Sequence, residues 1–138
     1  MMHRVVNTLS VILVVGGWWS AAAAFGRLPH RIPIHFNLFG RPDGWGGRWM
    51  IWFLPALTLI LSALWFAGFS GLKGARVPAE GRLPSSLLLL TVVGGCLYIN
   101  RKIVDCAVGD SSGLGWGFLP IFMLLIFGLS AWLSMAGA

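Results

Sequence analysis

Residues 114–135 read LGWGFLPIFMLLIFGLSAWLSM, without one charged side chain. A helix needs about 20 predominantly apolar residues to cross the hydrocarbon core of a bilayer, so this run predicts a membrane span. Towards the N-terminus, similar runs occupy Val5–Phe25, Met50–Phe69 and Leu83–Ile99. The third is short, and it is expected to continue through Cys106 with Asn100, Arg101 and Lys102 at headgroup level. Pro84 suits its first turn, where the missing N–H is not needed.

The composition agrees. Of 138 residues, 57% are hydrophobic and 10% charged, whereas a soluble domain carries roughly a quarter charged residues. Too few polar groups exist to cover a water-facing surface, so lipid is the expected partner. The net charge of +6 comes from basic residues in the gaps between apolar runs, as at membrane flanks. No basic face interleaved with aromatics points to nucleic acid. The expected architecture is an all-α membrane bundle, a single domain over 1–138. Its spans are 5–25, 50–69, 83–106 and 114–135, with a structured loop at 26–49 between the first two helices.

The first run has a basic start and an Ala21–Ala24 stretch resembling a cleavage site. Its apolar length exceeds the roughly 7–15 residues of a signal core, so a retained anchor is expected. Cys96 and Cys106 on one helix would stand roughly 15 Å apart, too far for a disulfide. Small residues at Gly16-Gly17, Ser20 to Ala24, Gly94-Gly95 and Gly113-x-Gly115-x-Gly117 are expected to let helices approach closely. Basic residues fall into two groups on opposite membrane faces: Arg4, Lys73, Arg76 and Arg82, then Arg27, Arg31, Arg41, Arg48, Arg101 and Lys102. The larger group favours a cytoplasmic loop. The short N-terminus and the Lys73/Arg76/Arg82 cluster favour a cytoplasmic N-terminus.

The connector over 28–48 reads LPHRIPIHFNLFGRPDGWGGR. Pro29 and Pro33 fix φ and push the residues before them towards extended geometry. Ile32, Ile34 and Phe36 alternate with Pro33 and His35, as in a short extended piece. Arg41-Pro42-Asp43-Gly44 predicts a β-turn, with Gly40 and Gly44 available for positive φ. A small folded cap on the membrane face is expected, with Trp45 and Trp49 anchoring it at the interface.

The order Leu28, Pro29, Ile32, Pro33, His35, Phe36, Asn37, Gly40, Pro42, Asp43, Gly44, Trp45, Gly46, with Arg48 after it, resembles the signature of the domain of unknown function 1648. That domain forms the N-terminal part of SdpI-type immunity proteins, which protect sporulating bacteria from a secreted peptide toxin. The resemblance covers the loop and its two flanking spans. It implies a multi-pass protein of the bacterial cytoplasmic membrane with the loop outside and the N-terminus cytoplasmic. It also implies a role in toxin immunity or signal transduction.

The chemistry-bearing residues admit two readings. His30, His35 and Asp43 could form a zinc site of two imidazoles and a carboxylate, but their spacing matches no zinc motif. In the alternative, His35 and Asn37 hydrogen-bond backbone groups of the loop. Asp43 is expected to accept from the Gly44–Gly46 amides, or else to pair with Arg48. Arg101 and Asp105 lie four apart, in position to pair on one helical face. No Gly-x-Ser-x-Gly, HExxH or phosphate-binding loop is present, and Ser85-Ser86 and Ser111-Ser112 sit where caps and turns want hydroxyls. The expected function is therefore binding, not catalysis, with no cofactor or resident metal: recognition of a peptide or protein partner at the membrane. An accessory subunit of a larger complex is the alternative, and a metal-dependent membrane enzyme the weakest reading.

Overall fold

The computed structural model describes residues 2–69 and 78–136. Lys73 and Arg76, of the basic cluster with Arg82, lie outside the described residues. Helix α1 spans Met2–Phe25, strands β1 and β2 span Arg31–Phe36 and Pro42–Gly47, and a 3-10 turn over Arg48–Trp52 runs into α2, Phe53–Phe69. Helices α3 and α4 span Arg82–Ala107 and Phe118–Ala136. The described residues include four helices long and apolar enough to cross a membrane. The chain is thus a multi-pass membrane protein, as the apolar runs predict, and the connector contributes a two-stranded sheet.

A shared local device starts the last three helices. Pro55, Pro84 and Pro120 each stand third in their helix, preceded by leucine. A first-turn proline loses no helical hydrogen bond and has its φ preset for the helix. Inside the spans, several hydroxyls bond back to a carbonyl of the preceding turn. Ser10 donates back to the Val6 carbonyl at 3.0 Å, Thr58 to Pro55 at 2.9 Å and Ser86 to Arg82 at 2.7 Å.

Helix α3 is the hub, packing against α1, α2 and α4. Gly17 faces Leu97 and Gly94 faces Leu13, each at 3.8 Å from the position a Cβ would take. Gly95 lies beneath the Phe122 ring, where any Cβ would overlap it. The expected close approach is therefore made at Gly17, Gly94 and Gly95. The Gly113–Gly117 run does not belong to a span. It forms the α3–α4 linker, so α4 begins at Phe118 and not at Leu114.

The main core lies at the hairpin end of the bundle. Ala21, Ala24 and Leu28 from the end of α1 meet Ile32 of β1, Ile51 of the 3-10 turn, and Ile103 and Val104 of α3. Ile32 and Ile51 are fully buried, and each such side chain contributes about 1.5–3 kcal/mol. The hairpin is held by its own apolar residues and is not a free loop.

Candidate functional site

The strands pair antiparallel, Arg31 opposite Gly47, Ile32 opposite Gly46 and Pro33 opposite Trp45, then His35 opposite Gly44 and Phe36 opposite Pro42. Two irregularities interrupt this register, one at Ile34 and one at Asp43. Such bulges re-aim side chains. Gly44 and Gly46 make room for them: a Cβ on Gly44 would stand 2.8 Å from the His35 Cβ, and one on Gly46 would stand 2.9 Å from Ile34 Cδ1. The Asp43-Gly44-Trp45-Gly46 sequence is the complement of Ile34-His35 on the opposite strand.

The turn is not where Arg41-Pro42-Asp43-Gly44 suggests. Residues 42–47 are strand, and the chain reverses at Asn37–Gly40. Asn37 Oδ1 accepts from the Phe39 and Arg41 amides, both at 3.0 Å. The Gly40 amide donates to the Asn37 carbonyl at 2.8 Å, and Gly40 adopts φ +76°. One side-chain amide thus organises the whole tip, the Asx device that competes with regular structure.

Asp43 also acts otherwise than its sequence suggests. In place of a bond to the Gly44–Gly46 amides or to Arg48, its Oδ1 stands 2.5 Å from His35 Nδ1. A proton on Nδ1 makes this contact a hydrogen bond, which leaves Nε2 as the imidazole's outward atom. Both side chains are substantially exposed, 71% for His35 and 42% for Asp43. Arg48 instead lays its guanidinium over the Phe25 ring at 5.1 Å, within cation–π range. Phe25 also meets Trp49 at 4.7 Å and Trp52 at 5.8 Å between ring centroids. Trp49 is thus part of the seam between α1 and α2 while still largely exposed, and Trp45 is half-exposed on β2. Among the described residues no group of three His, Cys, Asp or Glu side chains could hold a metal ion, so the zinc arrangement weighed for His30, His35 and Asp43 is not formed.

The tip is clasped by the α3–α4 linker. The Leu114 amide donates to the Gly40 carbonyl at 2.8 Å, and the Tyr98 hydroxyl donates to the Leu114 carbonyl at 2.7 Å. Tyr98 stacks on Phe118 at 4.3 Å, joining the clasp to the start of α4. Gly113 and Gly115 approach the tip so closely that a Cβ on Gly113 would meet the Gly40 carbonyl oxygen. The linker's part was hidden in sequence because its glycines sit beside an apolar run and read as helix packing. Pro29 and Pro33 frame the entry to the hairpin, and Pro33 is buried.

Within the bundle, Arg101 pairs with Asp105 at 3.2 Å, as their spacing predicts. Asn100 is buried between the helices, and neither of its amide atoms has a partner among the described residues. It lines a small void with Leu13, Gly17, Pro55, Thr58 and Cys96. Cys96 and Cys106 are free thiols.

The family model described as "Domain of unknown function (DUF1648)" matches residues 12–59, from mid-α1 through the hairpin into α2. Over this segment the chain is similar to DUF1648 domains. The matched residues comprise the hairpin with its tip and His–Asp pair, and the helical seam that holds it. The clasp from Tyr98, Leu114 and the linker glycines comes from beyond the DUF1648 match. Neither the curated proteins nor the solved structures give a match to the chain.

Proposed function

We propose that the hairpin is a recognition platform on the membrane face, binding a peptide or protein partner in the manner of SdpI-type immunity or signal relay. In this reading the hairpin lies outside the cytoplasmic membrane and the N-terminus lies inside. One observation carries the proposal. Two bulges and two space-making glycines present His35 and Asp43 as a hydrogen-bonded pair beside the half-exposed Ile34 and Trp45. An exposed pair of this kind contributes only about 0–1 kcal/mol to stability, so the geometry is poorly explained by folding alone. A rigid polar centre flanked by apolar and aromatic side chains is the usual composition of a binding hot spot.

The test is protection of expressing cells from a secreted peptide toxin, with His35→Ala and Trp45→Ala as variants. Loss of protection at unchanged membrane abundance supports the platform; full protection by both variants refutes it. A second reading, an accessory subunit of a membrane complex, draws support from α4. Among the described helices α3 is its main packing partner, and no residue of its span is buried. Recovery of a stoichiometric partner in mild detergent, abolished by polar substitutions on α4 but not by His35→Ala, would favour the subunit.

A further inference from the structure

Where the hairpin tip meets the α3–α4 linker, two adjoining clefts share Phe39 and Trp116. One, of about 510 Å³, is lined by Asn37, Arg41, Ser112, Gly113 and Gly115 besides these two. The other, also about 510 Å³, is lined by Leu38, Gly117, Pro120 and Ile121 with the same pair. A polar cleft thus continues into an apolar one.

Their depth follows from α4, which begins at Phe118 and carries no charge along its length. The second cleft is built on the first turn of that span and lies at the edge of the hydrocarbon. Trp116, immediately before the span, is 88% exposed, and the tip residues Leu38 and Phe39 are 79% and 67% exposed. Large apolar side chains left so bare at a span's end belong to the aromatic belt at the lipid boundary. The polar cleft carries cationic character. Arg41 forms no ion pair with a carboxylate among the described residues. The Lys102 ammonium stands 3.5 Å from the Ser111 hydroxyl, next to Ser112 on the cleft wall.

We propose that these paired clefts bind one anionic phospholipid. Its headgroup phosphate lies between Arg41 and the Asn37–Ser112 wall, and the start of an acyl chain lies along Phe39, Trp116, Pro120 and Ile121. The guanidinium supplies charge-assisted hydrogen bonds to phosphate oxygens, and Lys102 adds a second positive charge nearby. The site is separate from the His35–Asp43 face, so it stands or falls independently of the recognition platform.

Native mass spectrometry of the purified protein, offered equimolar phosphatidylglycerol and phosphatidylcholine, tests the assignment. Phosphatidylglycerol adducts are expected to predominate. Arg41→Gln is expected to reduce that preference about fivefold, the ratio expected from one basic residue at an anionic surface. Trp116→Ala is expected to weaken retention of both lipids. Arg27→Gln removes the same charge from the end of α1, away from the cleft lining, and should leave the preference unchanged. Equal retention of the two lipids, or an equal effect of Arg27→Gln and Arg41→Gln, overturns the proposal.

Discussion

Replacing Gly40 by alanine tests whether the hairpin tip is a constructed part of the bundle. Gly40 holds φ +76°, a conformation costing an L-residue about 1–2 kcal/mol. The new methyl would also stand 2.8 Å from the Gly115 carbonyl oxygen and 3.3 Å from the Leu114 Cβ. Backbone must move to admit it, stretching the 2.8 Å bond from the Leu114 amide to the Gly40 carbonyl. Loss of that bond adds about 0.5–1.5 kcal/mol. The expected destabilisation is therefore about 1.5–3.5 kcal/mol. Reversible unfolding in mixed micelles of increasing dodecyl sulfate content, followed by tryptophan fluorescence and far-UV circular dichroism, measures it. Gly47→Ala is the control: φ is −67° and ψ 149°, with nothing within 4 Å of the added methyl. It should fall within about 0.5 kcal/mol of the parent. If Gly40→Ala unfolds at the same point as Gly47→Ala, the tip is not clasped as described.

Three further outcomes follow from the same geometry. Asn37→Ala removes the acceptor shared by the Phe39 and Arg41 amides and should cost about 1–2 kcal/mol, with faster amide exchange confined to residues 37–41; unchanged exchange there counts against the Asx tip. Tyr98→Phe keeps the ring against Phe118 but removes the hydroxyl from the Leu114 carbonyl, an expected loss of about 1 kcal/mol in the micelle titration; no loss would show that the clasp does not need it. Asn100→Leu replaces a buried amide lacking protein partners and should be neutral or stabilising by up to about 1 kcal/mol, whereas a clear destabilisation would show that the amide holds an internal water against Thr58.

The spans were legible in sequence because lipid imposes a blunt requirement, a long apolar run with its backbone bonds closed locally. The rigidity of the connector was legible too, from the prolines and glycines that restrict or release φ. Its form was not. Pro42-Asp43-Gly44 has the composition of a turn, yet Asn37 reaches two amides and Gly40 supplies the positive φ, so the reversal falls earlier and 42–47 become strand. The His35–Asp43 pair was hidden for a related reason. It joins residues eight apart through two bulges, and each bulge reverses which face the following side chain takes. The face taken by Asn100 was not legible from its basic neighbours: the helical rotation carries Arg101 outward and Asn100 inward. Position along a span predicts depth but not the face a side chain takes.

The bond between the Gly40 carbonyl and the Leu114 amide also bears on how the protein is made. A ribosome delivers the chain N-terminus first, so α1, the hairpin and α2 emerge well before residue 114 exists. Until α3 and α4 have been delivered and inserted, the tip has neither Leu114 to cap its carbonyl nor Tyr98 and the linker glycines to hold it. The hairpin can form its strands and its Asn37 turn early, but the tip gains its clasp only once Tyr98 and Leu114 have been delivered to it. A chain cut off after α2 would carry every residue of the DUF1648 match and still lack the clasp on its tip.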